Sequence, residues 1–266
     1  MRKSIAIPGV LLMACALAAC ADTEPPAASE TVAYSPARYQ QAITDIARTD
    51  DRRYDDARKP GELLAFAQID RGDVVGDFIM GGGYVTRLLA MAVGADGKVY
   101  AFQPDEFIAR RPEYAQEQDA AIRPYTNQQG EPVRVFPLTG PIDAPGWPEP
   151  LDTVITALNF HDLYLDDMPE GTPERVARML FDALKPGGTL VVVDHLAADG
   201  SGPAAANDLH RMDRQVALDL LTGAGFTLEE ESDLYSRPSD DRRASVFDDS
   251  VRGSTDQFAW RLRKPD

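Results

Sequence analysis

Cysteine is almost missing from this sequence: two occur in 266 residues, Cys15 and Cys20, both near the N-terminus. The chain beyond Cys20 therefore holds no thiol, which excludes a disulfide framework, a zinc–thiolate site and a cysteine nucleophile there. Positive charge is also scarce, with 27 Lys and Arg against 43 Asp and Glu and a formal charge of −16. A surface that acidic supplies no counter-charge for nucleic acid or anionic headgroups, so no nucleic-acid partner is expected. The apolar stretch 5–19 contains Pro8 and falls short of the ~20 residues that a spanning helix needs. Histidine occurs three times, as His161, His195 and His210, so any imidazole chemistry rests on these.

The N-terminus carries a short basic head, Arg2-Lys3, before the apolar stretch, which is the pattern of a secretory signal. It closes on Leu17-Ala18-Ala19-Cys20, which resembles the bacterial lipobox, where small residues precede a cysteine that is acylated and becomes the new N-terminus. The expectation is a signal peptide over 1–19 and an exported lipoprotein that faces the periplasm, held to a membrane by a lipid on Cys20. Residues 20–37, rich in Pro, Ser and Glu, read as a flexible tether. One α/β domain is expected over 38–266.

Within that domain a helical pattern over 39–68, interrupted at Pro60-Gly61, is followed by alternating strand and helix signals. Strands are expected at 73–78, 98–102, 133–136, 151–158 and 189–194, the last being the most apolar. Helices are expected at 84–93, 106–121, 173–184 and 209–224. A final strand pair, 226–231 and 257–263, flanks a long polar loop over 236–255. Strands alternating with helices predict a mostly parallel, doubly wound sheet covered on both faces, with ligands at the carboxyl ends of its strands.

The stretch Gly76-Asp77-Phe78-Ile79-Met80-Gly81-Gly82-Gly83-Tyr84-Val85-Thr86 sits at that edge, after the first strand. It lacks the residues of a dinucleotide fingerprint or a P-loop. With Asn159-Phe160-His161-Asp162, Leu184-Lys185-Pro186-Gly187-Gly188, Leu209-His210-Arg211-Met212-Asp213 and Thr222-Gly223-Ala224-Gly225-Phe226, it resembles the class I S-adenosylmethionine (SAM)-dependent methyltransferases. The narrower likeness is to bacterial members whose first motif ends in Pro-Gly-Gly-Gly-Tyr/Trp, and it spans most of the chain from Thr44 onward. The resemblance implies a seven-stranded sheet of order 3-2-1-4-5-7-6, with SAM as cofactor and a small molecule as methyl acceptor. It further implies that Asp77, Gly81, Gly82, Gly83, Tyr84 and Gln103 hold the cofactor and that Asn159 lies beside the reactive methyl. Two positions depart from the general pattern: Ile79 stands where the first of three alternate glycines belongs, and Gln103 replaces the acid that accepts the ribose hydroxyls. Ile79 is expected to set a branched side chain beside the cofactor's path.

His161 is the expected base, with Asp162 and His195 as further catalytic residues. Imidazoles bonded to neighbouring carboxylates are the expected arrangement, and a metal site is not; a small divalent-ion site built with Asp162, Asp194 or Asp213 stays open as a weaker alternative. The mixed-charge run 50–58 reads as a salt-bridged helix face, and Asp240-Asp241-Arg242-Arg243 as a solvated turn. An alternative function is a chain that keeps the fold but binds another ligand in the periplasm without methyl transfer.

Overall fold

The computed structural model describes Met1 and residues 34–266; the expected signal segment, Cys20 and most of the expected tether lie outside the described residues. Among the described residues no helix is long and apolar enough to cross a membrane. Tyr34 already belongs to the compact unit Tyr34–Asp266, ahead of the expected domain start at residue 38. Its hydroxyl donates to Asp70, and the turn Pro36–Tyr39 packs on Gly61.

The strands are β1 (Val74–Phe78), β2 (Lys98–Pro104), β3 (Val135–Gly140), β4 (Leu151–Ala157), β5 (Leu184–His195), β6 (Thr227–Ser232) and β7 (Gln257–Arg263). They form one sheet in the order β3-β2-β1-β4-β5-β7-β6, in which β1 to β5 run parallel and β7 lies antiparallel to both β5 and β6. Successive side chains of a strand point to opposite faces, and here both faces are apolar because both are covered. Val191 and Val193 of β5 enter one core cluster, whereas Leu190 and Val192 enter the other.

The first cluster is closed by α3 (Pro60–Ala67) and α4 (Tyr84–Ala92), through Leu63, Leu64, Leu88 and Leu89. The second is closed by α7 (Thr172–Ala183) and α9 (Arg214–Ala224), through Val176, Leu180, Ala217 and Leu221. The order of strands places the switch point between β1 and β4, so a crevice opens beyond their carboxyl ends.

Local chemistry divides several expected helices. The pattern over 39–68 becomes α1 (Gln40–Thr44), short 3-10 turns, α2 (Asp55–Arg58) and α3, because Lys59 takes a left-handed conformation (φ 42°) ahead of Pro60. The helix expected over 106–121 splits into α5 (Asp105–Arg110) and α6 (Glu113–Ile122), since Arg111, preceding Pro112, is driven into extended backbone. The helix expected over 209–224 starts only at Arg214, as α9, and a separate short helix, α8 (Ala204–Leu209), precedes it. His210 ends α8 at φ 53°, and the Asp213 carboxylate caps α9 by accepting from the Gln215 and Val216 main-chain N–H groups. The Lys185-Pro186-Gly187-Gly188 run is absorbed into β5, where the pairing with β4 shifts register.

Candidate active site

After β1 the chain turns through residues 79–83 into α4. Ile79 takes φ 62°, the left-handed conformation that glycine adopts without strain, at a cost of about 1–2 kcal/mol. Its side chain is 3% exposed and belongs to the core cluster that holds Phe78 and Phe102, while the residue also lines the cavity over this turn, beside the expected ligand path. Leu158, just past β4, takes a matching φ of 64°. Asn159 joins the two turns, since its Nδ2 donates to the Ile79 carbonyl at 2.7 Å while its Oδ1 accepts from Thr156 Oγ1. Its amide is therefore spent on bracing β1 against β4, although the residue also lines the cavity between them.

That cavity has a volume of about 670 Å³, and Asp77, Gly81, Gly82, Tyr84, Leu158 and Asn159 are among the residues on its wall. A Cβ at Gly81 would meet nothing within 4 Å, and at Gly82 only Glu117 Oε2 at 3.4 Å, so the main chain here is open to a ligand. Two residues expected to face the cofactor do not line this cavity. A Cβ at Gly83 would lie 2.5 Å from Ala121 Cβ, so this glycine lets α6 pack close rather than admitting a ligand. Gln103 is fully buried near the end of β2, and neither its Oε1 nor its Nε2 has a partner among the described residues.

The Asp77 carboxylate, 3% exposed, accepts from the Thr86 hydroxyl. Burial pushes it up to about 6, against the pull of the Thr86 hydroxyl and N–H and of Arg87. The Tyr84 hydroxyl donates to Asp55 at 2.7 Å, and burial raises it far above its ordinary range, so it stays a neutral donor. Arg58 stacks on the rings of Tyr84 and Tyr54, 4.6 and 5.2 Å from their centroids, and its guanidinium has no carboxylate partner among the described residues. The charged run 50–58 is salt-bridged as expected, but inward rather than along a solvated face. Asp51 holds Arg87 through two bonds of 2.6 and 2.7 Å, and Asp55 holds the buried Arg48, which closes this segment over the cavity.

A second cavity of about 380 Å³ adjoins the first, sharing Phe107, Arg111, Tyr114, Leu158 and Asp162 with its lining. The three histidines line it together, His161 from beyond β4, His195 from the end of β5 and His210 from the end of α8. Asp194, fully buried, ties the first two together. It accepts from the His161 main-chain N–H at 2.6 Å, from His161 Nδ1 at 2.8 Å and from the His195 main-chain N–H at 2.8 Å. His161 Nε2 then faces Asp162 Oδ1 at 3.4 Å. Burial opposes a charge on His161, but Asp194 and Asp162 outweigh it and hold the imidazole above its ordinary range. Burial pushes His195 down to about 4, and its Nδ1 meets Thr255 Oγ1 at 2.7 Å.

Sequence reasoning gave no role to Phe107 and Tyr114, which the break at Pro112 turns toward both cavities. It also took Asp240 for part of a solvated turn. Asp240 instead pairs with the fully buried Arg211 at 2.8 Å and accepts from the Asp256 N–H, anchoring the loop that brings Val246 and Phe247 to the smaller cavity.

No family model and no curated protein matches the chain. Among solved structures it is similar to a SAM-dependent methyltransferase from Aquifex aeolicus, at 18% identity and a TM-score of 0.52 over 86% of this chain and 98% of that one. It is likewise similar to the [4+2]-cyclase SpnF, at 16% identity and a TM-score of 0.55 over 79% and 81%. The fold is thus that of the SAM-dependent methyltransferases, a fold that also carries a cyclase.

The raised Asp77 carboxyl has a pH signature. Its folded value of about 6 lies above the unfolded value of about 4, so the folded state holds the extra proton between the two. Stability is lost as pH rises through that window, and the cost is fully present above it. Asp77→Asn should therefore gain about 2 kcal/mol relative to the parent between pH 4 and pH 7, read from urea unfolding at both. A pH-independent difference would contradict the assignment.

Proposed function

We propose that this chain is a SAM-dependent methyltransferase that acts on a small acceptor and is tethered to the cell envelope by a lipid on Cys20. The observation that carries the catalytic part is the pair of cavities at the strand ends, a larger one over the glycine turn and a smaller one around the histidines, with a common wall. The larger has the volume of a cofactor site. The residues present suit SAM. Gly81 and Gly82 let a ligand approach the main chain, and the Gln103 amide, unpartnered among the described residues, can accept from one ribose hydroxyl and donate to the other. Arg58 offers an unpaired guanidinium to a carboxylate.

In this reading Asp77, Gly81, Gly82, Tyr84 and Gln103 hold SAM, Asn159 lines the cavity beside the reactive methyl while bracing β1 against β4, and Gly83 shapes the turn. Bound SAM supplies a methyl group on a positively charged sulfur. The chain's own contribution is largely placement, since holding acceptor and donor in contact where the two cavities adjoin removes much of the entropic barrier. His161 is the base. Asp194 fixes its Nδ1, leaving Nε2 to take the acceptor's proton in the smaller cavity, and the neighbouring Asp162 favours the imidazolium that forms. His195 faces the same cavity as a neutral imidazole.

A second reading, a fold retained to bind another ligand in the periplasm without methyl transfer, is favoured by one observation: Gln103 does not line the larger cavity. Calorimetry separates the two. SAM and its demethylated product should each bind with a dissociation constant in the micromolar to low-millimolar range, and no heat from either at millimolar concentration would exclude the methyltransferase reading.

Export and anchoring rest on the basic head, the apolar stretch and Leu17-Ala18-Ala19-Cys20. Expressed as the full chain in a bacterium, Cys20→Ser should move the protein out of the membrane fraction; an unchanged membrane fraction would contradict the lipid anchor.

A further inference from the structure

Three side-chain atoms in the smaller cavity converge without any hydrogen-bond partner among the described residues: His161 Nε2, His210 Nδ1 and Asp162 Oδ1. The carboxylate oxygen lies 3.4 Å from the first and 3.5 Å from the second, and ligating atoms from all three residues fall within 4.8 Å of one another. Ligands held at about 2.0–2.2 Å around a tetrahedral ion stand about 3.3–3.6 Å apart, so two of the three separations already match.

We propose that His161, His210 and Asp162 bind one divalent transition-metal ion, of the Zn²⁺ or Fe²⁺ class, open on the cavity side. Three further features support the site. The His161 Nδ1 to Asp194 contact is the outer carboxylate that usually orients a ligating imidazole, and it leaves the Nε2 lone pair for the ion. The His161 and His210 rings stand nearly perpendicular, 88° apart with centroids at 5.4 Å, so they approach one point from different elements. Two imidazoles and one carboxylate are a donor set suited to zinc and to non-haem iron, and they leave coordination positions for water or substrate.

With the ion bound, His161 Nε2 is no longer free to take a proton. An acceptor hydroxyl or thiol would then coordinate the ion, which lowers that group's pKa, and its O–H or S–H proton would leave to solvent. This consequence rests on the methyl-transfer reading, whereas the ion site itself does not.

The test uses the full chain, stripped of metal and titrated with Zn²⁺ in competition with a chromophoric chelator, without SAM, so that it stands apart from the calorimetry above. One equivalent of Zn²⁺ should bind, and His210→Ala and Asp162→Asn should each weaken it at least about tenfold. Both substitutions fall on partly exposed side chains, which avoids the folding risk of replacing buried His161. Co²⁺ in place of Zn²⁺ should give visible absorption of a low-coordinate site that both variants abolish. Absence of saturable Zn²⁺ binding would overturn the proposal, and so would an affinity and a Co²⁺ spectrum unchanged in both variants.

Discussion

Asp194 is a carboxylate with no exposure to solvent, at the end of the most apolar strand. Taking such a group out of water costs several kcal/mol unless donors fill its oxygens. Here the donors come from two stretches of chain: the main-chain N–H and Nδ1 of His161, and the main-chain N–H of His195. Satisfying this one group ties the chain beyond β4 to the end of β5. Two residues before His161, Asn159 carries the tie on to the Ile79 carbonyl just past β1. The ends of β1, β4 and β5 thus become one assembly, with the larger cavity over β1 and β4 and the smaller one around the histidines.

The architecture was legible because it is written in period and composition. Short apolar strands separated by amphipathic helices predict the seven strands observed, and their order is the one that the methyltransferase resemblance implies. Less legible was whatever depends on conformation that a residue type does not normally adopt. Ile79 stands where glycine is expected because the turn needs a left-handed residue; the structure places it there, in the core cluster and at the cavity wall together. Gly83 reads as a ligand-facing glycine, yet its missing side chain makes room for Ala121, a contact between distant parts of the chain that no local pattern records.

Charge was misread for the same reason. Asp240 and the run 50–58 look solvated in sequence, because burial of an ion pair depends on partners far away. Arg211 is the partner of Asp240, and Arg87 that of Asp51. The strands that His161 and His195 follow end at the ligand edge, but the convergence of the three histidines with Asp162 on one small cavity depends on the buried Asp194 carboxylate, which ties His161 to His195, and on the left-handed end of α8 at His210.

Fold and function remain separate inferences, since the same architecture carries both a methyltransferase and a [4+2]-cyclase. The central claim concerns geometry: a nucleoside cofactor over Gly81 and Gly82, presenting its sulfur to the wall shared with the histidine cavity. A crystal structure of the chain with S-adenosylhomocysteine tests it most directly. The account predicts density for the adenosine over these glycines, its ribose hydroxyls within hydrogen-bond reach of Gln103 and its sulfur toward Asp162. Density in another place, or a sulfur turned away from Asp162, would contradict it.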